Sequence, residues 1–236
     1  MKQLVGFLLV ILSVAVFIPT MSSAAEVWSD DFQDGDYVGW TVLTGTFSAE
    51  KQFLQGVESE GYQSIQHSSS VAYGNWSFDV YHNSSVASHF YRVYSFMADE
   101  LIEGSVVYAG VMVPRNGYSI DFAALGADFN RWENGSPLTR GDFSITFSGW
   151  RTITIIRDRT GHFEFYLNET LVEEADDTTY TTSAVFGWCS MPGNAIDNII
   201  VSEFEPSLLT IDPLLIGAGV GIAVIVIAIV VYFRRR

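Results

Sequence analysis

A stretch near the C-terminus constrains this chain more than any other feature. Residues 214–233 read LLIGAGVGIAVIVIAIVVYF, with no charged residue and no proline. About 20 helical residues extend ~30 Å, which matches the hydrocarbon thickness of a bilayer. Three arginines follow at residues 234–236 and favour the cytoplasmic side. We therefore predict one transmembrane helix at 214–233, a cytoplasmic basic tail at 234–236 and a short linker at 206–213.

The N-terminus predicts export. Lys2 precedes an apolar run at residues 4–18, and small residues occupy positions 22–25. This order is typical of a secretory signal peptide, which we assign to residues 1–25. An uncleaved anchor is the alternative, although the run is short for a membrane span. In either case residues 26–205 are predicted to lie outside the cell membrane, with the C-terminus in the cytoplasm.

Composition limits the functions open to this exported region. All 27 acidic residues lie between Glu26 and Asp212, whereas Lys2 and the three terminal arginines account for four of the 12 basic residues. Such an acidic surface repels nucleic acid and is compatible with cations or with neutral or basic partners. A surface that serves only solubility is the alternative. A hydrophobic content of 48%, with 14% aromatic residues, predicts a packed core. Cys189 is the only cysteine, so no intramolecular disulfide is possible.

Short alternating segments rich in β-branched and aromatic residues fill the exported region, and turn residues such as Asn116 and Gly117 separate them. This pattern predicts an all-β fold, a two-sheet antiparallel jelly-roll sandwich. The predicted strands cover residues 40–47, 76–81, 89–96, 105–113, 117–124, 143–147, 151–157, 162–167, 184–189 and 195–202.

Six motifs resemble concanavalin A-like lectin/glucanase domains, a superfamily that includes laminin-G-like jelly rolls. The opening carries SDDFQDGD at 29–36, followed by GWT and GTF. Later, residues 149–158 read GWRTITIIRD, 163–168 read FEFYLN and 195–202 read AIDNIIVS. The resemblance covers about residues 26–204 and implies a jelly roll of two curved sheets, often with glycan bound on the concave face. One departure is Asn168-Glu169, where the family usually has an Asp-Gly turn.

Catalytic signatures are absent from the strands. Glucanases of this fold carry acids in an E-x-D-x-x-E run, which points the carboxylates to one face of a strand. Here Glu164 is followed by Tyr166 where an aspartate would stand, and Glu58 and Glu60 come closest but look like a loop. We therefore expect a non-catalytic domain. The histidines at 67, 82, 89 and 162 are scattered, which gives no sign of a histidine metal site.

A glycan site is predicted on the middle strands, because sugars bind to aromatic rings beside planar polar side chains. The alternative is that the tyrosines are core residues. The candidate ligand-binding residues are Arg92 and Tyr94 on one strand face, Tyr108 and Asp121 on the following strands, and Trp132 in a loop beyond.

A structural calcium ion is the one cofactor that the sequence suggests. Aspartates crowd the opening loop, and Asp197 lies in the closing strand, which commonly neighbours the first strand in this fold. Hard cations take several oxygen ligands, including carboxylates. A solvated acidic turn is the alternative interpretation. The candidate ligands are Asp31, Asp34, Asp36 and Asp197.

Four N-x-S/T sequons, at Asn75, Asn83, Asn134 and Asn168, predict a glycosylated surface. In the predicted membrane helix, Gly217 and Gly221 form a G-x-x-x-G pair, which lets two helices approach closely and suggests a homodimer.

Three functions are consistent with these features. The first is a membrane-anchored cell-surface recognition domain that binds a glycan or another surface ligand. The second is a divergent glycoside hydrolase or lyase of the same fold, and the third is a structural envelope protein without a small ligand. The missing acid pair disfavours the second, and an exposed aromatic groove would favour the first over the third.

Overall fold

A computed structural model of the chain describes residues 24–57, 61–83, 92–104, 110–123, 126–143, 145 and 148–204. They belong to one compact unit, Ala24–Phe204, which is all-β as predicted. Its strands are β1 (Ala24–Asp30), β2 (Trp40–Thr44), β3 (Phe47–Ser48), β4 (Leu54–Gly56), β5 (Gln63–Ser68), β6 (Gly74–His82), β7 (Arg92–Ala98), β8 (Leu101–Glu103), β9 (Met112–Pro114), β10 (Gly117–Ala123), β11 (Gly126–Glu133), β12 (Ser136–Phe143), β13 (Gly149–Arg157), β14 (His162–Leu167), β15 (Thr170–Asp176), β16 (Val185–Ser190) and β17 (Ala195–Phe204).

The strands form two large antiparallel sheets and one small hairpin. Sheet 1 has the order β15-β14-β13-β6-β17-β4-β3, and β1 pairs with β17 on the same edge as β4. Sheet 2 has the order β12-β11-β10-β7-β16-β5-β2. The hairpin consists of β8 and β9. In both sheets the central strands are neighbours that are distant in sequence, as a jelly roll requires.

The core lies between the two sheets. In β6 every second residue is buried, so Trp76 and Phe78 point inward while Asp79 and Tyr81 face outward. Phe78 stacks on Tyr94 from sheet 2 with ring centroids 5.3 Å apart, and Trp76 packs on Phe96 at 5.5 Å. Such ring pairs are stabilising beyond the area they bury, so the inward aromatic residues hold the sheets together.

Hairpin β8–β9 covers the outer face of sheet 2. Val111 and Val113 pack on Val93, Trp132 and Cys189 in a second apolar cluster, separate from the main core. Strand β7 is therefore buried on both faces, and all seven of its residues are buried. Most of the strand predicted at residues 105–113 lies outside the described residues; in the described part, Met112 and Val113 belong to β9, which pairs with β8.

Arg131 and Trp132 correct a second expectation, because they lie in β11 and not in a loop. The turn after β11 is Asn134-Gly135, and both residues have positive φ (51° and 75°). This dipeptide is the strongest short-range signal for a two-residue hairpin, since asparagine and glycine tolerate that conformation. It joins β11 to β12 and places Trp132 opposite Pro137.

Several predicted segments lie outside the described residues: the signal peptide before Ala24, the linker at 206–213, the helix at 214–233 with Gly217 and Gly221, and the tail at 234–236. Within the part of the chain that the structure describes, no helix has the length and apolar character needed to cross a membrane. Strand β1 begins at Ala24, which pairs with Phe204 at the end of β17.

Candidate functional site

A cluster of aromatic rings lies on the outer face of sheet 1, and we call it the Trp150 platform. Its members are Trp150 on β13, Tyr81 directly opposite on β6, and Phe53 just before β4. The centroid of the Trp150 ring lies 5.5 Å from that of Tyr81 and 5.5 Å from that of Phe53. Trp150 remains 40% exposed. A large ring held between two others and open to solvent presents a rigid apolar surface to a ligand.

Polar side chains border the Trp150 platform in the next row of the same face. Asp79 accepts hydrogen bonds from Thr152 Oγ1 at 2.5 Å and from Asn198 Nδ2 at 2.9 Å. Asn198 reaches Asp79 because β17 is irregular there: its pairing with β6 shifts after Asp197, and Asn198 has a φ of 47°. The row therefore combines a carboxylate, an amide and a hydroxyl in fixed positions beside the rings.

This arrangement suits a ligand with apolar faces and polar edges. The exposed part of the Trp150 ring offers a flat apolar surface, and the adjacent row offers both donors and acceptors. Pockets that bind sugars combine these elements, with rings providing contact area and a few polar groups fixing orientation. This site was not predicted from the sequence. The signal was the alternation in residues 149–157, where Ile153 and Ile155 point inward and Trp150 therefore points outward.

The residues predicted to bind a glycan are buried and fall into two separate places. Arg92 and Tyr94 lie in the interior between the sheets: Arg92 Nε donates to Asn194 Oδ1 at 3.0 Å, and the Tyr94 hydroxyl contacts His82 Nε2 at 3.1 Å. Burial, with Arg92 nearby, lowers the pKa of His82 to about 2. Tyr94 is thus a core residue, which was the alternative interpretation. Tyr108 lies outside the described residues.

Asp121 and Trp132 come together beneath hairpin β8–β9, on the outer face of sheet 2. Ser119 Oγ donates to Asp121 Oδ1 at 2.5 Å, Asn130 Nδ2 donates to Asp121 Oδ2 at 2.9 Å, and Trp132 Nε1 donates to Ser119 Oγ at 2.7 Å. Burial raises the pKa of Asp121 to about 7. Trp132 has 0% exposure, so the expectation of an exposed ring at this position is wrong.

Carboxylates on this face do not form the pair expected of a glucanase strand. The positions that share a face with Asp121 on β10 are Ser119 and Ala123, and neither is acidic. The nearest acid in register is Asp128, directly opposite on β11, and Asp142 stands opposite Asp128 on β12. Glu58 and Glu60 lie outside the described residues.

The predicted calcium ligands are only partly brought together. Strands β1 and β17 are neighbours, and Asp197 has its pKa raised by burial and by the charges of Asp79, Asp31 and Asp30. Asp34 and Asp36 instead accept backbone hydrogen bonds within their own loop, from Asp36 N and Val38 N. In the part of the chain that is described, these aspartates do not converge into a group of three with ligand atoms within 4.8 Å. Of the predicted ligands, Asp31 is the one whose charge acts on Asp197, together with the charges of Asp79 and Asp30.

The sequon asparagines occupy two kinds of position. Asn134 and Asn168 are exposed in the turns after β11 and β14. The Asn168 side-chain oxygen accepts a 3.0 Å hydrogen bond from Thr152 N. Asn75 and Asn83 are half-buried, within and directly after β6. Exposure therefore favours Asn134 and Asn168 as the more accessible predicted sites.

Comparison with known proteins places the fold. No protein-family model matches the chain, and no curated protein matches it by sequence. The carbohydrate recognition domain of Emp47p superposes with a TM-score of 0.60 at 8% identity, over 80% of this chain and 100% of that domain. A Bacillus subtilis protein of unknown function with a galectin-like fold gives 0.56 at 13%, over 76% and 96%. A Bacillus licheniformis β-glucanase gives 0.52 at 12%, over 77% and 99%.

At such low identity these likenesses establish the fold alone. They confirm the concanavalin A-like jelly roll that the sequence motifs predicted. Both binding domains and an enzyme share it, so the function has to be argued from the side chains of this chain.

Proposed function

We propose that this chain is a membrane-anchored cell-surface recognition protein that binds glycan at the Trp150 platform without catalysing a reaction. The observation that carries the proposal is the half-exposed Trp150 ring held between Tyr81 and Phe53. The fixed Asp79–Asn198 pair beside it supplies acceptor and donor groups for sugar hydroxyls. Two of the solved structures with this fold are named for carbohydrates, a recognition domain and a glucanase, which supports this class of ligand.

Membrane anchoring is the second part of the proposal, and it rests on the sequence. The uncharged stretch at 214–233 with its three following arginines predicts one span, and the N-terminal apolar run predicts export. On intact cells, added protease should therefore degrade residues 26–205 and spare a C-terminal tag. Protection of the domain together with cleavage of the tag would show that the orientation is reversed.

Glycan binding is tested with the full chain in mild detergent on a glycan array, followed by titration of the best ligand. We expect Trp150→Ala to weaken binding roughly 5- to 150-fold, from about 1–3 kcal/mol per stacked ring by analogy with base stacking. Val42→Ala is the control, because Val42 is also 40% exposed but lies on sheet 2. Unchanged affinity in Trp150→Ala would remove the platform as the binding site.

A divergent hydrolase is the alternative, and one observation favours it. Asp121 has a pKa raised to about 7 by burial, and Asp128 stands opposite it. A carboxyl group that stays protonated near neutral pH is what a general acid requires. Against this, Asp121 is only 2% exposed, and both of its oxygens already accept hydrogen bonds from Ser119 and Asn130.

A further inference from the structure

We propose that His162, Glu164 and Glu174 form a binding site for a divalent transition metal ion of the zinc class. The three side chains lie on the outer face of sheet 1, on the terminal hairpin β14–β15. Their ligand atoms all lie within 4.8 Å of one another, and no other group of three His, Cys, Asp or Glu side chains among the described residues does so. The site is separate from the Trp150 platform and does not depend on the proposed glycan function.

The register of the hairpin brings like charges together. Glu164 stands directly opposite Glu174, and His162 stands opposite Asp176. Two carboxylates at directly opposed positions on one face repel each other and destabilise the pairing. A cation between them removes that repulsion, and the histidine beside them adds a nitrogen ligand.

The orientation of His162 points to a metal ligand. Its Nδ1 lies 2.8 Å from Asp176 Oδ1, so Nδ1 carries the proton and donates it to the carboxylate. In the neutral ring Nε2 is then an acceptor, and it faces Glu174 Oε1, another acceptor, at 3.4 Å. Two acceptors at that distance need a cation or a proton between them. A carboxylate that holds the far nitrogen of a histidine is the usual outer contact of zinc-bound histidines.

Glu164 is oriented in the same way by a second outer contact. The Tyr166 hydroxyl donates a 2.7 Å hydrogen bond to Glu164 Oε2, which leaves Oε1 as the free ligand atom. The separation between His162 Nε2 and Glu174 Oε1 also fits: two ligands about 2.1 Å from a tetrahedral ion are ~3.4 Å apart.

The donor set selects the class of ion. One imidazole nitrogen and two carboxylate oxygens suit zinc and its transition-metal neighbours, whereas calcium prefers six to eight oxygen ligands. Three protein ligands leave a fourth tetrahedral position for water, as in open zinc sites. Both Glu174 and His162 are reachable from solvent, with side-chain exposures of 54% and 36%.

A proton on Nε2 is the competing occupant. The hydrogen bond to Asp176 raises the pKa of His162, as does the one to Glu174, so the protonated ring could itself neutralise the two glutamates. The experiment therefore has to separate metal binding from simple protonation.

The test uses the full chain in mild detergent, stripped of metal with a chelator and titrated with Zn²⁺ by calorimetry at pH 7.5. We expect one saturable equivalent in the wild type. His162→Ala and Glu174→Gln should each weaken binding by at least the roughly 10- to 100-fold seen when outer-shell partners are removed, and Asp176→Asn should weaken it by about that factor. Glu173→Gln is the matched control, since this neighbour points to the opposite face of β15 and should bind as the wild type does.

Cobalt provides a measurement that needs no variant. Co²⁺ bound by this set should give a tetrahedral visible absorption band, and Zn²⁺ should displace it. Absence of saturable Zn²⁺ binding, or equal affinity in His162→Ala and Glu174→Gln, would overturn the metal site and leave the proton as the occupant. Trp150→Ala should keep full zinc affinity, so failure of the glycan proposal and failure of the metal site give different results.

Discussion

The indole Nε1 of Trp132 donates a 2.7 Å hydrogen bond to Ser119 Oγ, and both residues have 0% exposure beneath hairpin β8–β9. This contact begins a chain of hydrogen bonds that continues through Asp121 and Asn130 to Thr139 at 3.0 Å. Ser119, Asp121 and Asn130 are thus buried on the outer face of sheet 2 and hydrogen-bonded to one another. The face that presents an open aromatic surface is the outer face of sheet 1, which is why the proposed ligand site lies there.

Asp121 should make stability depend on pH. Its folded-state pKa is about 7, against about 3.9 in an unfolded chain. The folded protein therefore holds this proton more tightly than the unfolded chain does. The stability that the bound proton contributes is fully present below about pH 4 and is lost as the pH rises to about 7. Between pH 5 and pH 8 this group should remove roughly 2–3 kcal/mol from the free energy of unfolding.

Urea unfolding of wild type and Asp121→Asn at both pH values measures this effect. Asparagine does not titrate, so the variant should lose less stability than the wild type over the same interval. Other carboxylates contribute equally to both proteins and cancel in the difference. Identical pH profiles would show that the Asp121 carboxyl titrates as an ordinary surface group.

Of the charged residues in the fold, Arg157 should be the one whose substitution lowers the free energy of unfolding most. It has 0% exposure, and its guanidinium donates to the carbonyl oxygens of Ala72 and Asp177, each at 3.0 Å, while lying 4.8 Å from the Phe163 ring centroid. Lysine lacks the planar fork that matches this arrangement and leaves a buried acceptor unpaired. Arg157→Lys should therefore lower the free energy of unfolding by about 2–4 kcal/mol.

Arg159→Lys is the control for that measurement. Arg159 is two residues further on and exposed, and its hydrogen bond goes to Phe204 O at the surface. The change there should be within about 0.5 kcal/mol. A similar loss of stability in both variants would mean that the buried contacts of Arg157 stabilise the fold no more than the surface contact of Arg159 does.

Much of the fold could be predicted because its strands alternate cleanly. In β6 and β13, apolar residues such as Phe78 and Ile155 recur at every second position, so the inward face is readable from the sequence. The closing strand motif correctly placed residues 195–202 in a strand, and β17 runs from Ala195 to Phe204. In these strands one face is solvated, and the period-2 pattern therefore survives.

The burial of Arg92 and Tyr94 could not be predicted, because β7 has no solvated face. Arg92 and Ser95 are buried, as Tyr94 is, so polarity in this strand does not indicate exposure. Tertiary packing decides which face of a sheet a separate hairpin covers, and no local sequence pattern indicates it. The proposed metal site was missed for a similar reason. His162 and Glu174 are 12 positions apart and meet only through the register of β14 and β15.

A calcium ion remains a prediction centred on Asp197. Its carboxylate is surrounded by the charges of Asp79, Asp31 and Asp30, so an ion bound only by the native state should stabilise by mass action. The melting temperature should rise in millimolar calcium and fall in chelator, and Asp197→Asn should remove the difference. Asp142→Asn, an exposed acid on sheet 2, is the control and should keep it. A wild-type melting temperature that is the same in calcium and in chelator would contradict the prediction.

The last prediction is that the protein does not catalyse glycoside hydrolysis. It follows from the positions of the carboxylates on the outer face of sheet 2. Glycoside hydrolysis normally needs two carboxyl groups that flank the scissile bond, about 5 Å apart for retention and further apart for inversion. Among the described residues of the outer face of sheet 2, the nearest neighbours of Asp121 on β10 are Ser119 and Ala123; the acid opposite it is Asp128, with Asp142 opposite Asp128. Asp121 is only 2% exposed, and both of its oxygens accept hydrogen bonds, so it offers little surface to a polysaccharide. Incubation of the full chain with a panel of polysaccharides should release no new reducing ends and no unsaturated products. Turnover that survives repurification and disappears in both Asp121→Asn and Asp128→Asn, with binding at Trp150 intact, would make this protein a hydrolase.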